Sequence, residues 1–363
     1  VTIDAVGSRA TPAATSRPRS RPSDLPSYSL GIINHRTYED LERCLASVKA
    51  QTVAPEAIVV IDAEADPALL RGAAERHPEV CWTPAPNRGF GAGANAVLRH
   101  PVVDSSGAEF ILILNPDVEL RPGFAENLLR EMQRHPNVAL ASGKLLRRDG
   151  RTLDSTGIVL PRHRRPQDRG SEKLDRGQYD RPELVFGVSG AAVMIRSATL
   201  TGLEILGEIF DEDFFLYHED SDLSWRANLL GWDVLYVPTA QALHGRRWQR
   251  QKRFSISPRV RRHSFKNHYL SMLKNERRRD FLVNFPVLLT WEMARLGYAL
   301  LFDRPILSGY RMAWQLRRRI WEKRRVIQGK AVVGRCPDRF AEASWSARMG
   351  SVASARPERH IGR

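Results

Sequence analysis

Phe110-Ile111-Leu112-Ile113-Leu114-Asn115-Pro116-Asp117 joins a run of continuous apolar residues to a polar turn. The run is short and does not alternate, which suits a strand buried on both faces. Pro116 has no N–H and ends the ladder, so Asp117 is expected just beyond the strand's carboxyl end. Two other segments have the same form. Residues 28–33 (YSLGII) stop at Asn34, and residues 57–61 (AIVVI) stop at Asp62. Helical period marks 38–50, with Leu41, Cys44, Leu45 and Val48 on one face, and also 69–76, 95–100 and 124–134; residues 80–83 suit a short strand. This alternation predicts an α/β fold with a mainly parallel sheet flanked by helices. Ligands of such sheets lie beyond the carboxyl ends of the strands. Asn34, Asp62, Asn115 and Asp117 are therefore expected to share one crevice.

Further along, residues 147–182 are rich in Arg, Asp, Gly and Pro and read as a surface excursion. Residues 185–195 (VFGVSGAAVMI) read as a strand region whose glycines allow close backbone approach to a ligand, or a bulge. Residues 233–237 are a late strand, followed by His244. Asn87-Arg88-Gly89-Phe90-Gly91-Ala92-Gly93-Ala94-Asn95 is a Gly-rich loop leading into a helix, able to present N–H groups to a phosphate or simply to turn the chain. It has neither the Walker A nor the GxGxxG spacing. In the segment FFLYHEDSDLSWR, residues 214–226, an aromatic run meets Glu219, Asp220 and Asp222. Clustered carboxylates can hold a raised pKa and take a proton from a hydroxyl. The same acids also suit a helix N-terminus.

The 363 residues, 42% of them hydrophobic, allow one large domain or two modest ones with an ordinary core. The net charge of +15 is local in origin: residues 246–330 hold 23 Lys and Arg against 5 Asp and Glu. Such a block suits an anionic membrane face, a phosphate-bearing substrate or nucleic acid, or is a solvated basic surface. Residues 281–302 are long enough to span a bilayer, but Asn284, Pro286, Glu292 and Arg295 interrupt them. Charge within hydrocarbon is costly, so one or two amphipathic helices, buried or interfacial, are expected. Three cysteines without a CxxC pair point to a reducing compartment and away from a disulfide framework or a zinc site. Residues 1–27 lack the apolar core of a signal peptide and read as a disordered leader. Residues 28–250 form the main domain, 251–330 a basic helical region at the membrane, and 331–363 a disordered tail.

The segments GIINHRTYEDLERCLASV, VVIDAEAD, NRGFGAGANAVL, ILILNPDVEL, GVSGAAVMIR, FDEDFFLYHEDSDLSWRANLLGW, VLYVPTAQALHG and RHSFKNHYLSMLKNE follow one another in a known order. Over residues 28–330 the chain resembles family 2 glycosyltransferases of the GT-A fold. Within that family it is most similar to bacterial rhamnosyltransferase-like enzymes, which carry Asn-Pro-Asp in place of Asp-x-Asp.

The resemblance implies inverting transfer of a sugar from a nucleotide-diphospho-sugar to a hydroxyl of a lipid-linked or polysaccharide acceptor in cell-envelope glycan synthesis. It implies Asp220 as general base and Glu219 as the group orienting acceptor or base. Asp62 would bind the nucleobase, with Asn34, Asn87, Gly89, Asn95, Asn115 and Arg226 also on the nucleotide-sugar side; Arg226 would in addition pair with the acids. Asp117 would hold Mg²⁺ or Mn²⁺, with His244 assisting. The favoured donor is dTDP-rhamnose, ahead of UDP-hexoses, and the acceptor is a glycan or is polyprenol-diphosphate-linked, met at an anionic membrane surface. The implied location is cytoplasmic, peripheral on the inner face of the cell membrane. No nucleic-acid partner is expected, and pairing of the C-terminal helices into an oligomer stays open. The competing reading is a non-catalytic glycan- or nucleic-acid-binding protein on the same fold. Two features depart from the family pattern: Ala63-Glu64-Ala65-Asp66 follows the second-strand Asp, and the metal motif has one aspartate.

Overall fold

The computed structural model describes residues 24–246 and 256–332. The expected leader and tail fall almost wholly outside them. The first half contains β1 (Tyr28–Asn34), α1 (Tyr38–Lys49), β2 (Ile58–Ala63), α2 (Pro67–Arg76), β3 (Cys81–Ala85), α3 (Phe90–Leu98), α4 (Pro101–Ser105), β4 (Phe110–Leu114), β5 (Val118–Leu120), α5 (Phe124–Arg134) and β6 (Val138–Arg147). Then come β7 (Leu153–Ser155), β8 (Ile158–Val159), β9 (Gln167–Asp168), β10 (Glu183–Leu184), β11 (Ala192–Arg196), α6 (Leu200–Leu203), α7 (Glu219–Leu229) and β12 (Asp233–His244). Four helices follow: α8 (Pro258–Asn275), α9 (Arg278–Phe302), α10 (Ser308–Gln315) and α11 (Arg317–Lys330).

The main sheet runs β10-β12-β6-β11-β4-β1-β2-β3. Strands β3, β2, β1 and β4 are parallel, β11 lies antiparallel between β4 and β6, and β12 is parallel to β6. Successive residues of β4 serve opposite faces, as a doubly covered strand requires. Leu112 and Leu114 pack with α1 and α5 through Leu45 and Leu128, while Ile111 and Ile113 join Val97 of α3 and Leu223 of α7 on the other side. The expected apolar face of α1 is buried as read.

Two expectations, on α3 and on residues 147–182, are corrected, and one strand is new. Helix α3 begins at Phe90 rather than 95, because its glycines let it lie close on β1; a Cβ on Gly93 would come within 2.7 Å of Ile33. Strand β6 was unforeseen, since its small residues (VALASGK) carry little strand signal, yet nearly all of it is buried. Residues 147–182 are not a surface excursion: β7 pairs with β6, and Asp154, Ser155, Thr156 and Arg164 are buried. Residues 281–302 lie in one continuous helix, α9, with Pro286 inside it, which is within the expectation of one or two helices.

The basic C-terminal region is joined to the sheet domain by buried charge. Lys274 of α8 and Lys323 of α11 both reach Asp211, and Lys323 also reaches Glu208 and Asp213. Arg164 makes a two-point bond to Glu276 at 2.8 and 2.9 Å. Buried charges need partners of this kind, so much of the basic excess is met internally.

Candidate active site

The site is built around a strained turn ahead of α7. Phe215, Tyr217 and His218 have φ of 67°, 71° and 72°. Left-handed backbone costs a non-glycine residue about 1 kcal/mol or more, so the surroundings must hold it. Asn267 of α8 places its Nδ2 within 2.7–2.9 Å of the carbonyls of Phe214, Leu216 and Tyr217. From the other side Phe90 N–H donates to Phe215 O at 2.9 Å. Gly89 sits so close that a Cβ there would fall 2.0 Å from the same oxygen. The predicted phosphate loop is thus a support for the turn.

The turn delivers Glu219 and Asp220 into a cavity of about 430 Å³, walled by residues 165–168 and by α8 and α9. The two acids differ. Asp220 Oδ2 accepts the Gly190 N–H at 3.0 Å and Oδ1 the Ser221 N–H at 2.6 Å. Burial raises its pKa and these donors oppose the rise. Glu219 is 8% exposed, and its Oε2 has no hydrogen-bond partner among the described residues. Burial, then the charges of Asp220 and Asp222, push it up to about 8. Backbone donors favour the ionised form of a carboxyl, so Asp220 is the member that ionises first. Asp222 is structural: it has no exposed surface and accepts from Arg226, Lys274 and Asn275.

A second group forms where β5 pairs with β12. The register sets His244 opposite Val118, next to Asp117. His244 Nε2 lies 3.4 Å from Asp117 Oδ1, and Nδ1 lies 2.7 Å from Asp154 Oδ2. Burial alone would lower the imidazole pKa, but bonds to Asp117 and Asp154 lift it to about 9. Burial would raise Asp117, yet His244 holds it below its ordinary value. Among the described residues no cluster of three or more His, Cys, Asp or Glu exists that could hold a metal. One carboxylate and one imidazole still fit a Mg²⁺ or Mn²⁺ that takes its other ligands from diphosphate and water. Arg246 links the two groups: it borders the acid cavity, lies two residues beyond His244 and pairs with Asp168 at 2.7 Å.

The other predicted residues are placed as follows. Asp62 has no exposed surface; it accepts from Asn34 Nδ2 at 2.8 Å and from the Tyr38 hydroxyl at 2.5 Å. Asp62, expected to bind the nucleobase, is thus enclosed by Asn34 and Tyr38 at the end of β2. Asn95 is corrected: it is buried and bonded to the backbone of Ile209 and Phe210, tying α3 to the segment before the strained turn. Arg226 is the second correction. It is fully buried, bonded to Asp222 and to the carbonyls of Leu203 and Ile209, so it cannot meet a nucleotide, although its pairing with the acids holds. Asn87 Oδ1 accepts the Gly89 N–H at 3.2 Å, and Asn115 is half-buried at the end of β4. Sequence reasoning missed Tyr38, Asp154 and Asp168. The last two lie in the segment whose Arg, Gly and Pro content hid its burial.

A mixed sheet whose strand ends carry an Asp–His pair, with an acid pair in an adjoining cavity, defines a GT-A glycosyltransferase. Residues 29–200 match the profile of glycosyl transferase family 2, so the chain carries a domain of that family. It is 29% identical to the N-acetylglucosaminyl-diphospho-decaprenol L-rhamnosyltransferase of Mycobacterium tuberculosis, over 56% of this chain and 71% of that one. Identity to the low-salt glycan biosynthesis hexosyltransferase Agl10 of Haloferax volcanii is 22%, over 68% and 76%. Among solved structures, S. aureus TarS 1-349 in complex with UDP-GlcNAc superposes with a TM-score of 0.51 at 14% identity, over 84% of this chain and 91% of that one. GalNAc-T7 with UDP, GalNAc and Mn²⁺ gives 0.53 at 14%, over 70% of this chain. The chain spans 48% of GalNAc-T7, about half its length. These two likenesses establish the fold.

Proposed function

We propose that this glycosyltransferase moves a sugar, rhamnose before other hexoses, from a nucleotide-diphospho-sugar to a hydroxyl of a lipid-linked acceptor in cell-envelope glycan synthesis, inverting the anomeric centre. The single observation carrying this reading is the pairing of Asp220, fixed by two backbone N–H groups, with an unpartnered Glu219 in one cavity. Asp220 takes the proton of the acceptor hydroxyl as it attacks, and Glu219, protonated near neutrality, donates a hydrogen bond that orients the acceptor. The nucleobase meets the edge formed by Tyr38, Asp62 and Asn34. Asp117 and His244 would hold Mg²⁺ or Mn²⁺, which neutralises charge on the departing diphosphate; ligation by His244 requires loss of its proton.

The mycobacterial relative's name supports rhamnose as the sugar and a polyprenol-diphosphate acceptor, and dTDP-rhamnose is the donor proposed with them. No described helix is long and apolar enough to cross a membrane. The exposed apolar face of α9 supports a peripheral position on an anionic membrane surface. A screen of dTDP- and UDP-sugars for acceptor-dependent nucleoside diphosphate release, with and without Mg²⁺ or Mn²⁺, tests the reading. dTDP-rhamnose should be the best donor and EDTA should suppress turnover. Release unchanged by Asp220→Asn would refute the assignment of the base.

A further inference from the structure

We infer that Asp154 is a positioning residue for the metal site: it holds the His244 ring so that Nε2, rather than a ring carbon, faces Asp117. This rests on the reading of Asp117 and His244 as the ligands of Mg²⁺ or Mn²⁺. Asp154 is not placed to be a ligand itself. It has no exposed surface, whereas the Asp117 side chain keeps 24% of its own. It also lies on the far side of the imidazole: its Oδ2 is 2.7 Å from Nδ1, while Nε2 is 3.4 Å from Asp117 Oδ1. The two ring nitrogens point away from each other, so a group bonded to Nδ1 acts on an ion at Nε2 only through the ring.

Three strands fix this geometry. The register of β12 on β6 sets His244 opposite Arg147, and that of β6 on β7 sets Leu146 opposite Leu153, the residue before Asp154. Arg147 then ties the set together. Its Nε is 2.9 Å from Asp154 Oδ1, and its Nη1 donates to the carbonyl of Arg246 at 2.9 Å, two residues past His244. Arg246 Nη1 is 3.6 Å from the same Oδ1. Asp154 thus divides its oxygens: Oδ1 faces two guanidinium groups and Oδ2 the imidazole. The arginines supply what a buried carboxylate needs to remain ionised. That balance occupies Oδ1 alone and leaves Oδ2 to the ring.

The bond to the ring matters because histidine χ2 is close to two-fold. Turning the ring over would exchange Nε2 for Cε1 and leave Asp117 facing a carbon. The same turn would exchange Nδ1 for Cδ2 and break the bond to Asp154. An Nδ1–H donated to a carboxylate therefore selects one rotamer and one tautomer, and makes the other nitrogen a better donor to a cation. The metal motif has one aspartate, so a misplaced imidazole would leave only Asp117 of the pair.

Titration of the full chain with Mn²⁺ at a fixed concentration of dTDP, with free Mn²⁺ followed by electron paramagnetic resonance, tests this. Asp154→Asn keeps the shape but offers a neutral amide that can turn either its oxygen or its nitrogen to the ring. It should weaken Mn²⁺ binding about 10–100-fold, while dTDP binding in EDTA, read by calorimetry, stays as in wild type. Spin-echo spectra of the bound Mn²⁺ should carry the modulation of a directly bonded nitrogen in wild type, and should lose it in Asp154→Asn as in His244→Ala. A purely structural role would lower the unfolding temperature and move neither the affinity nor the nitrogen signal. That outcome, or wild-type behaviour throughout, would overturn the assignment. If Asp154→Asn does not fold, the wild type with Mg²⁺ and dTDP carries the test by ¹⁵N–¹H correlation. The His244 ring should then hold its proton on Nδ1, and a proton on Nε2 would overturn the inference. Failure of the metal reading appears separately, as Mn²⁺ binding indifferent to both Asp117→Asn and His244→Ala.

Discussion

Glu219 and Asp220 are adjacent in the chain and opposite in chemistry. Asp220 faces two backbone N–H groups, and Glu219 Oε2 faces none among the described residues. Asp220→Asn keeps the shape and the Gly190 contact but removes the proton acceptor. Its kcat should fall by about 10²–10⁴, with donor affinity and unfolding temperature nearly unchanged; joint loss of fold and binding would mean a structural role. Glu219 supports a second prediction, in pH. Its folded pKa is raised to about 8, so between the unfolded carboxyl value and that point the unfolded chain gives up a proton the folded chain keeps. Stability is then lost as pH rises through this window and is level above it. Glu219→Gln removes the penalty. The variant should be more stable than wild type by roughly 4 kcal/mol at pH 8 and about equal to it at pH 4. Thermal unfolding at both pH values checks this, and an equal gain at both would show that Glu219 is not held protonated.

At the level of elements, the geometry of the proposed catalytic acids depends on how α8 grips the turn before α7. Asn267→Ala withdraws the donors from the carbonyls of Phe214, Leu216 and Tyr217 and leaves the left-handed residues unsupported. We expect a loss of about 2–3 kcal/mol and a larger fall in kcat than rise in donor KM, measured by urea unfolding and steady-state kinetics. A variant that lost stability while keeping kcat would free the turn from any catalytic role. The same contacts explain what sequence could convey. Strands β1, β2 and β4 are doubly buried apolar runs, and Glu219 and Asp220 stand out because charges break an aromatic run. Those signals are local. Asn95 and Arg226 were misplaced because their partners, Phe210 and Leu203 among them, are backbone carbonyls far along the chain that no periodicity marks. Asp154 was hidden because its burial comes from β7 pairing with β6, itself unforeseen. Asp62 was rightly placed at a strand end, but its enclosure depends on Tyr38, one helix away in sequence.

The whole molecule separates its basic residues from its apolar ones in an unusual way. Lys274 and Lys323 are wholly buried among acids, while α9 turns polar Asp280 and Asn284 inward and leaves Leu282, Met293 and Leu301 at 71%, 64% and 75% exposure. A helix facing only water would reverse that arrangement. Trp314 and Trp321 are exposed on α10 and α11, with Arg317 stacked 4.5 Å over Trp314. Aromatic and basic side chains together suit the headgroup layer, and the apolar face of α9 suits the acyl boundary beneath it. Such a surface would bring the cavity of Glu219 and Asp220 to the plane where a lipid-linked acceptor lies. The full chain should therefore float with vesicles containing anionic lipid. High salt should weaken this without abolishing it, because the apolar contribution is unscreened while the charged one falls with the Debye length. Replacing Leu282 and Met293 together by Asp should cost about 3 kcal/mol or more of membrane affinity, from the lost apolar burial alone. Donor hydrolysis in solution should be unaffected, since neither side chain lines the cavity. Flotation equal to wild type for that double variant, or none at any salt for the wild type, would remove α9 from membrane docking.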